Sequence, residues 1–529
     1  MLRQPAVRQV AGAVLVLVAL AMWAFASPVG ASPDEDYHLA SIWCAGGDRD
    51  GVCEPGSRDG ERLVPEGLLD THCYAFHPEM SAACQGTALT DPTGELAPTT
   101  RANFNGGDYP PVFYAAMSVF VGQDVSRSVL AMRVANAVVF VLGVAAAFAL
   151  ASAPLRRALV AAVAVTFVPL GVFIVPSINP SSWAMTSAAL TFVALVVHMT
   201  ERDRTRQWLS GALAGAAVLL GAGARADAAL YASLAVGAAL AVTFRPRREF
   251  LVRAVYPAVL GVASALSFFM AGQSSAVEGA EAQAASVSRV VDLLTDVPEL
   301  WVGALGKWGL GWLDTSMPPI VWVAMFGLFA TAVVTGLRGV RRGQAVALAV
   351  VALAAWLIPA YIQYLSGVPV GMFVQPRYIH PLLVILAVVA LCRLTGEGIR
   401  VSPAQRWLAV LAVSGANALA LHLNIGRYVA GTDAAGLNLG ATREWWWQGA
   451  APGPMAVWLL GSAALAGALV LLSHDLVAVS PAAPGGSGDD DVPGQDTVLV
   501  PPGVPAAGRA SAPDDRDRGE PSAGASGPA

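Results

Sequence analysis

Three carboxylates and an imidazole lie close together after the first apolar stretch, in the segment Ser32-Pro33-Asp34-Glu35-Asp36-Tyr37-His38. Ser32 and Glu35 have the spacing of a capping box, and Pro33 suits the first position of a helix, so the pattern predicts a helix that starts here. Asp34 and His38 would then stand four residues apart on one helix face. This arrangement is suited to acid and base chemistry. The alternative is that the acids only complement the helix dipole.

The composition indicates an integral membrane protein, since 55% of the 529 residues are hydrophobic and 13% are charged. A membrane-spanning helix needs roughly 20 largely apolar residues. We therefore expect an all-α polytopic membrane protein with about twelve transmembrane helices and a large first extracytoplasmic loop. The expected spans are 9–28, 129–152, 159–176, 182–198, 208–223, 226–243, 255–270, 319–337, 346–364, 378–394, 407–423 and 454–473.

Arginines set the expected orientation, because short cytoplasmic loops carry the excess of positive charge. They cluster in every second connection, which predicts a multi-pass protein of the plasma membrane with both termini in the cytoplasm. The expected organisation is the N-terminus and first helix (1–28), an extracytoplasmic subdomain (29–128), a helical bundle (129–473) with outer loops near 273–318 and 424–453, and a disordered cytoplasmic tail (474–529). A cleaved signal peptide is the alternative for the N-terminal stretch.

Four of the five cysteines lie in the first predicted outer loop. In an oxidising compartment they are expected to form disulfides, and four cysteines allow three pairings. We favour Cys44 with Cys53 and Cys73 with Cys84, because the shorter loops close most readily. A zinc site involving neighbouring histidines is the alternative, although the spacing fits no common zinc pattern.

Aromatic residues and isolated cations recur on the predicted outer side. Trp308 and Trp312 are either interfacial belt residues or a stacking surface for a sugar or lipid headgroup. Tyr109, Phe113 and Tyr114 are expected to anchor a short apolar stretch in the membrane interface. An amphipathic helix is expected at 284–300. Charged residues are nearly absent from the expected spans, which argues against an ion-coupled transporter. The chain has no Walker A sequence or other soluble-enzyme signature. Its acidic residues are concentrated in the first outer loop and the tail, and neither segment is suited to binding nucleic acid.

Several short motifs resemble the bacterial membrane protein family known as domain of unknown function 2142, which is grouped with the type C glycosyltransferases. The strongest is Pro33-Asp34-Glu35 with His38, directly after the first span. The others are Tyr109-Pro110-Pro111, Asn179-Pro180, Gly311-Trp312-Leu313-Asp314-Thr315 and Gln375-Pro376-Arg377-Tyr378. The chain departs from the expected pattern at Ser181, where we expect an acid. The resemblance covers roughly residues 9–473.

The resemblance implies a type C fold and an inverting transfer of a sugar from a polyprenyl-phosphate donor to a cell-envelope glycan or lipid. Such a transfer needs a carboxylate that accepts a proton and cations that stabilise the departing phosphate. The implied base is Asp34, with Glu35 as the alternative and His38 as its orienting partner. The implied phosphate ligands are Arg377 first, then Arg225, Lys307 and Arg427. The implied substrate contacts are Tyr109, Trp308, Trp312, Asp314 and Tyr378.

Two other functions fit the same sequence features. A transporter or flippase of lipid-linked glycans would share the aromatic residues and rim arginines but would not need Asp34 for transfer. A non-catalytic partner in envelope assembly would tolerate loss of every rim charge. No cofactor is certain, and a divalent metal is an open expectation. Membrane lipids and the lipid-linked sugar are the expected partners.

Overall fold

The computed structural model describes residues 4–69, 71–86, 89, 95–104, 109–271, 287–366, 370–371, 374–396, 398–434, 436–441, 445–447 and 451–477. Nearly all of the expected tail, from residue 478 on, lies outside these residues. The helices are α1 Pro5–Phe25, α2 Glu35–Cys44, α3 Val112–Met117, α4 Val125–Leu150, α5 Ala153–Thr166, α6 Leu170–Ile174, α7 Ser181–Thr200, α8 Arg204–Ala222, α9 Ala226–Thr243, α10 Arg248–Met270, α11 Val287–Val302, α12 Pro319–Gly336, α13 Arg342–Ser366, α14 Pro376–Leu391, α15 Pro403–Ala430 and α16 Pro454–Leu472.

The fold is that of an all-α polytopic membrane protein, as the sequence predicts. Within the described residues, nine helices are long and apolar enough to cross a membrane: α1, α4, α7, α9, α10, α12, α13, α15 and α16. The other three expected spans correspond to shorter or more polar helices. The stretch 159–176 is divided between α5 and α6, α8 begins with charged residues, and α14 has only 16 residues. The number of crossings therefore stays a prediction.

Helices α7 and α14 form the centre of the bundle. Almost every side chain of α7 is buried, as are all those of α14 from Ile379 to its end. Helix α14 packs against α5, α7, α12 and α13. Helices that are apolar on all sides belong in the interior of a bundle. In contrast, α10 exposes most of its apolar side chains, as expected for a helix that faces lipid.

The long connection between α1 and α4 contains a small antiparallel sheet. Its strands are β1 Glu54–Pro55, β2 Arg62–Pro65 and β3 Leu96–Thr99, in that order across the sheet. Both predicted disulfides are confirmed. The bond between Cys44 and Cys53 joins the end of α2 to the sheet region, and Cys73 is bonded to Cys84. These bonds limit the freedom of a subdomain whose own core is small.

Helix α3 lies in the stretch that we expected to anchor in the membrane interface. That expectation is wrong for Phe113 and Tyr114, whose side chains are buried. Phe113 packs edge-on against Trp183 at a ring distance of 5.2 Å, and Tyr114 bonds His38. The predicted amphipathic helix between 284 and 300 is present as α11, Val287–Val302.

Candidate functional site

The irregular backbone that joins α1 to α2, residues 26–34, is held by side chains from distant parts of the chain. Every carbonyl group from residue 24 to residue 31, and that of Pro33, accepts a hydrogen bond from such a side chain. The donors are Arg133, Trp447, Asn424, Tyr74, Gln85, Trp312, Tyr428 and Asn179. Buried carbonyls outside regular structure need such partners, above all in a membrane protein. The 26–34 segment therefore has one well-determined path.

Asp34 ends this segment in the left-handed conformation, with φ 59° and ψ 19°. Helix α2 starts at Glu35, so the expectation of a helix from Pro33 is wrong, and Asp34 is the N-cap instead of a first-turn residue. The left-handed region is costly for residues with a Cβ, although Asp and Asn tolerate it better than most. Its cost is offset by neighbours such as Asn179, whose Nδ2 donates to the Pro33 carbonyl at 2.8 Å. The turn projects the Asp34 side chain, which stays 35% exposed.

Arg377 is the closest charged partner of Asp34. It lies in the first turn of α14, and its Nη2 is 2.7 Å from Asp34 Oδ2 and 2.9 Å from the Tyr378 hydroxyl. The Arg377 side chain is only 4% exposed. Its Nε and Nη1 atoms are buried and have no hydrogen-bond partner. Buried donors normally have partners, so these two atoms are available to bind a ligand.

A cleft adjoins this pair, and Pro33 and Arg377 form part of its wall. Its apolar wall comes from α6 and from the loop before α12, through Leu170, Phe173, Ile174, Leu310 and Leu313. Trp308 and Gln375 complete the lining. The Gln375 Oε1 atom is also buried and without a partner. The cleft thus combines apolar walls with a few unsatisfied polar atoms, which is the usual character of a ligand site.

Tyr378 lies between two guanidinium groups. The Arg377 and Arg225 guanidinium carbons are 4.7 and 4.4 Å from its ring centroid, and Arg225 is also 5.6 Å from that of Tyr109. These distances are typical of cation–π contacts. Arg225 makes a two-point ion pair with Asp227, at 2.8 Å for each bond. Arg225 is therefore already neutralised, whereas Arg377 keeps two unpartnered nitrogens.

His38 lies beside this stack instead of against the Asp34 carboxylate. Its Nδ1 is 3.0 Å from the Tyr114 hydroxyl, and its ring contacts those of Tyr37 and Tyr109. Burial, followed by the charges of Arg225 and Arg377, holds the pKa of His38 well below its usual value. His38 is thus neutral at pH 7. Burial also raises the pKa of Tyr109 to about 12, so that phenol keeps its proton.

Comparisons with known proteins agree with the membrane architecture. A family model described as predicted membrane protein (DUF2142) matches residues 17–386, which is well over half of the chain. The chain belongs to this family. The match includes both Asp34 and Arg377, although its description gives no activity. Searches of curated proteins and of solved structures found no match.

Glu35, in the Pro33-Asp34-Glu35 motif, forms a buried ion pair with Arg133 of α4. Glu35 Oε1 lies 2.9 Å from Arg133 Nη2, and the two side chains are 0% and 2% exposed. Glu35 Oε2 accepts a hydrogen bond from the Ser32 amide at 2.9 Å, which is one half of the predicted capping box. Through these contacts, Glu35 stabilises the 26–34 segment. They leave it no exposed surface at which a substrate could meet it.

The remaining predicted phosphate ligands, Lys307 and Arg427, are not among the residues that line the cleft. Lys307 is 41% exposed and pairs with Glu299 at 2.5 Å. Arg427 is buried, pairs with Asp314 at 2.9 Å and donates to carbonyls of the 74–80 loop. Trp312 donates to the Gly30 carbonyl at 2.9 Å. The contacts of Arg427, Asp314 and Trp312 fix the loop that carries the second disulfide and the 26–34 segment.

Sequence reasoning missed the roles of Arg133, Arg101 and Gln375. Arg101 bridges Asp36 at 2.7 Å and Asp34 at 3.6 Å. A lone arginine inside an apolar helix is itself a signal, because such residues are rare and usually paired, and it points to Arg133. Gln375 belongs to the motif Gln375-Pro376-Arg377-Tyr378, which marks its position but gives no indication of its role. Among the described residues, no three His, Cys, Asp or Glu side chains come together as a possible metal site.

Proposed function

We propose that the protein is an integral membrane glycosyltransferase of the plasma membrane. It transfers a sugar from a polyprenyl-phosphate donor to a cell-envelope acceptor on the outer face. One observation carries the proposal: a partly exposed carboxylate, Asp34, is held 2.7 Å from Arg377, a buried arginine that lines an apolar cleft and whose two remaining nitrogens have no partner. An acid, a cation and an apolar wall are the groups that a lipid-phosphate sugar donor requires.

The proposed reaction uses Asp34 as general base and Arg377 as the phosphate ligand. The acceptor hydroxyl gives its proton to the Asp34 carboxylate, and its oxygen attacks the anomeric carbon of the sugar. The bond from that carbon to the phosphate oxygen breaks, and the phosphate leaves with the electron pair. Arg377 stabilises the charge that develops on the phosphate. Attack from the side opposite the leaving group inverts the anomeric configuration.

The free hydrogen-bond donors beside the cleft favour a substrate with one phosphate. Each candidate cation has a carboxylate partner: Arg377 pairs with Asp34, Arg225 with Asp227, Lys307 with Glu299 and Arg427 with Asp314. Of these four, Arg377 lines the cleft, and its Nε and Nη1 atoms remain for one phosphate. A divalent metal stays a prediction, as do the sugar and the acceptor.

The proposed orientation puts Asp34 on the outer face and both termini in the cytoplasm. In support, α1 starts near Arg8 and ends at the 26–34 segment, so Arg8 and Asp34 lie at opposite ends of the bundle. Arg156, Arg206 and Arg406 all bind carbonyls at the Arg8 end of neighbouring helices. Positive charge concentrates on the cytoplasmic side of membrane proteins. The two disulfides suit an oxidising outer compartment.

The decisive experiment compares Asp34→Asn with wild type in a transfer assay from a polyprenyl-phosphate sugar in nanodiscs. Loss of a general base lowers rates by about 10² to 10⁴, while the amide changes little volume and leaves melting nearly unchanged. Asp48→Asn is the matched control, because Asp48 is in the same subdomain and 57% exposed. If the Asp34→Asn protein is folded and fully active, the proposed transferase activity based on Asp34 is refuted. A flippase or an assembly protein would then explain the site better.

A further inference from the structure

Two residues that line the cleft carry three unsatisfied polar atoms, and these atoms are not of one kind. Nε and Nη1 of Arg377 are donors, whereas Oε1 of Gln375 is an acceptor, and all three are buried without a partner. Both side chains line the cleft. They project from the start of α14, where Gln375 is the N-cap and Arg377 the second helical residue. A buried acceptor without a partner costs free energy in the empty protein, so a ligand that supplies a donor relieves that cost.

A phosphate alone does not match this arrangement. An ionised phosphodiester offers only acceptors, which suit Arg377 but leave the Gln375 oxygen unpaired. A hydroxyl group next to the phosphate supplies the missing donor. A sugar joined to phosphate carries both groups within a few bonds, and its C–H faces pack against aromatic rings such as Trp308. The N-terminus of α14 also favours a negative charge at this end of the cleft.

We propose that Gln375 accepts a hydrogen bond from a hydroxyl of the donor sugar while Arg377 binds the adjoining phosphate. The cleft therefore recognises the glycosyl phosphodiester as a unit and not the lipid phosphate alone. This inference rests on the proposed function, which it extends by assigning the residue that reads the sugar. Gln375 acts as a specificity-determining residue. Arg377 contributes equally to a lipid phosphodiester with a sugar and to one without.

The test measures dissociation constants in nanodiscs by native mass spectrometry. The probes are farnesyl methyl phosphate, which is a phosphodiester without a sugar, and the glucose, mannose, galactose and arabinose phosphodiesters of farnesyl phosphate. All of them carry one negative charge. The informative quantity is the ratio of the constant for farnesyl methyl phosphate to that for the tightest sugar ester. In wild type this ratio is expected to be about tenfold, the effect of one well-placed hydrogen bond to a buried group. Gln375→Met, which preserves volume but removes the acceptor, should bring the ratio close to one.

Three controls separate the possible failures. Gln375→Glu keeps an acceptor but adds a negative charge, so it should weaken every probe and retain the ratio, which provides a readout if the Met variant does not fold. Arg377→Gln should weaken every probe by the same factor. Gln405→Met, at the opposite end of the bundle, should leave all constants unchanged.

The outcomes distinguish this inference from the function on which it rests. A wild-type ratio near one, or a Gln375→Met variant that keeps the wild-type ratio, overturns the role of Gln375 and leaves the phosphate site standing. Unchanged binding of farnesyl methyl phosphate by Arg377→Gln instead removes the phosphate site, and with it the main support for a lipid-phosphate donor. A ratio that falls only in Gln375→Met supports the inference.

Discussion

Asp34 and Glu35 are adjacent in the sequence but have opposite surroundings. The Asp34 side chain is 35% exposed beside the cleft, whereas that of Glu35 is 0% exposed and paired with Arg133. The left-handed backbone at Asp34 produces this difference, because it turns one side chain outward just before the helix begins. Two carboxylates in one motif can therefore have separate roles, one at the substrate surface and one in the scaffold.

Glu35→Gln is expected to destabilise the protein by about 3 to 5 kcal/mol, because it leaves the Arg133 charge buried without its counter-ion. Asp34→Asn should change the melting temperature little. Thermal melting of both variants in the same detergent makes the comparison. Equal melting temperatures for the two variants would show that the Glu35 ion pair does not stabilise the fold.

His38 should make stability depend on pH. Its folded-state pKa is held well below the unfolded value near 6.5, chiefly by burial. The unfolded state therefore takes up a proton first as the pH falls, and the contribution of neutral His38 to stability, complete above pH 6.5, is progressively lost below it. Melting between pH 8 and 5 should show a steeper decline for wild type than for His38→Gln. Parallel curves would contradict a buried neutral histidine.

At the scale of elements, the 26–34 segment is the part that positions the proposed base. Its carbonyls accept hydrogen bonds from side chains of α4, α15, the turn that precedes α7, and several loops. Its path therefore depends on the packing of the whole bundle. Of these donors, Asn179 binds the carbonyl that is closest to Asp34 in the sequence, that of Pro33. This contact gives a physical role to Asn179-Pro180 that does not need an acid at position 181.

Asn179→Ala should lower the transfer rate by up to about 10²-fold, because a displacement of about 1 Å at a reacting group can have that effect. Trp447→Phe is the matched control, since it removes a bond to the Phe25 carbonyl at the far end of the segment. The measurements are kcat, KM and melting temperature. If the two variants lose kcat equally, Asn179 has no special part in positioning Asp34.

At the scale of the whole molecule, the proposed topology is directly testable. Asp59→Cys, in the exposed turn between β1 and β2, should react with a membrane-impermeant maleimide in intact cells. Arg245→Cys, in the exposed connection between α9 and α10, should react only after lysis. Both variants are made in a Cys392→Ala background, because Cys392 is the free cysteine of the described chain. The reverse labelling pattern would move Asp34 to the cytoplasmic face and remove the proposed outer-face reaction.

The sequence determined the features that depend on local interactions. Apolar stretches predict helices because each helix satisfies its backbone hydrogen bonds within its own segment. The disulfides were also predictable, since Cys44 and Cys53 are separated by 9 residues and Cys73 and Cys84 by 11, and short loops close most easily. The short motifs suggested the family resemblance, and the family model that matches residues 17–386 shows the membership.

Only the tertiary structure decided which of the motif residues meet. Arg377 lies 343 residues beyond Asp34, and Arg133 lies 98 residues beyond Glu35. No local pattern specifies such contacts, because they depend on how helices pack and on the irregular path between α1 and α2. The same holds for Gln375, because the cleft that its side chain lines is formed with residues from distant elements. The sequence thus determined the helices and the chemically capable residues, and the packing of the bundle decided their partners and exposure.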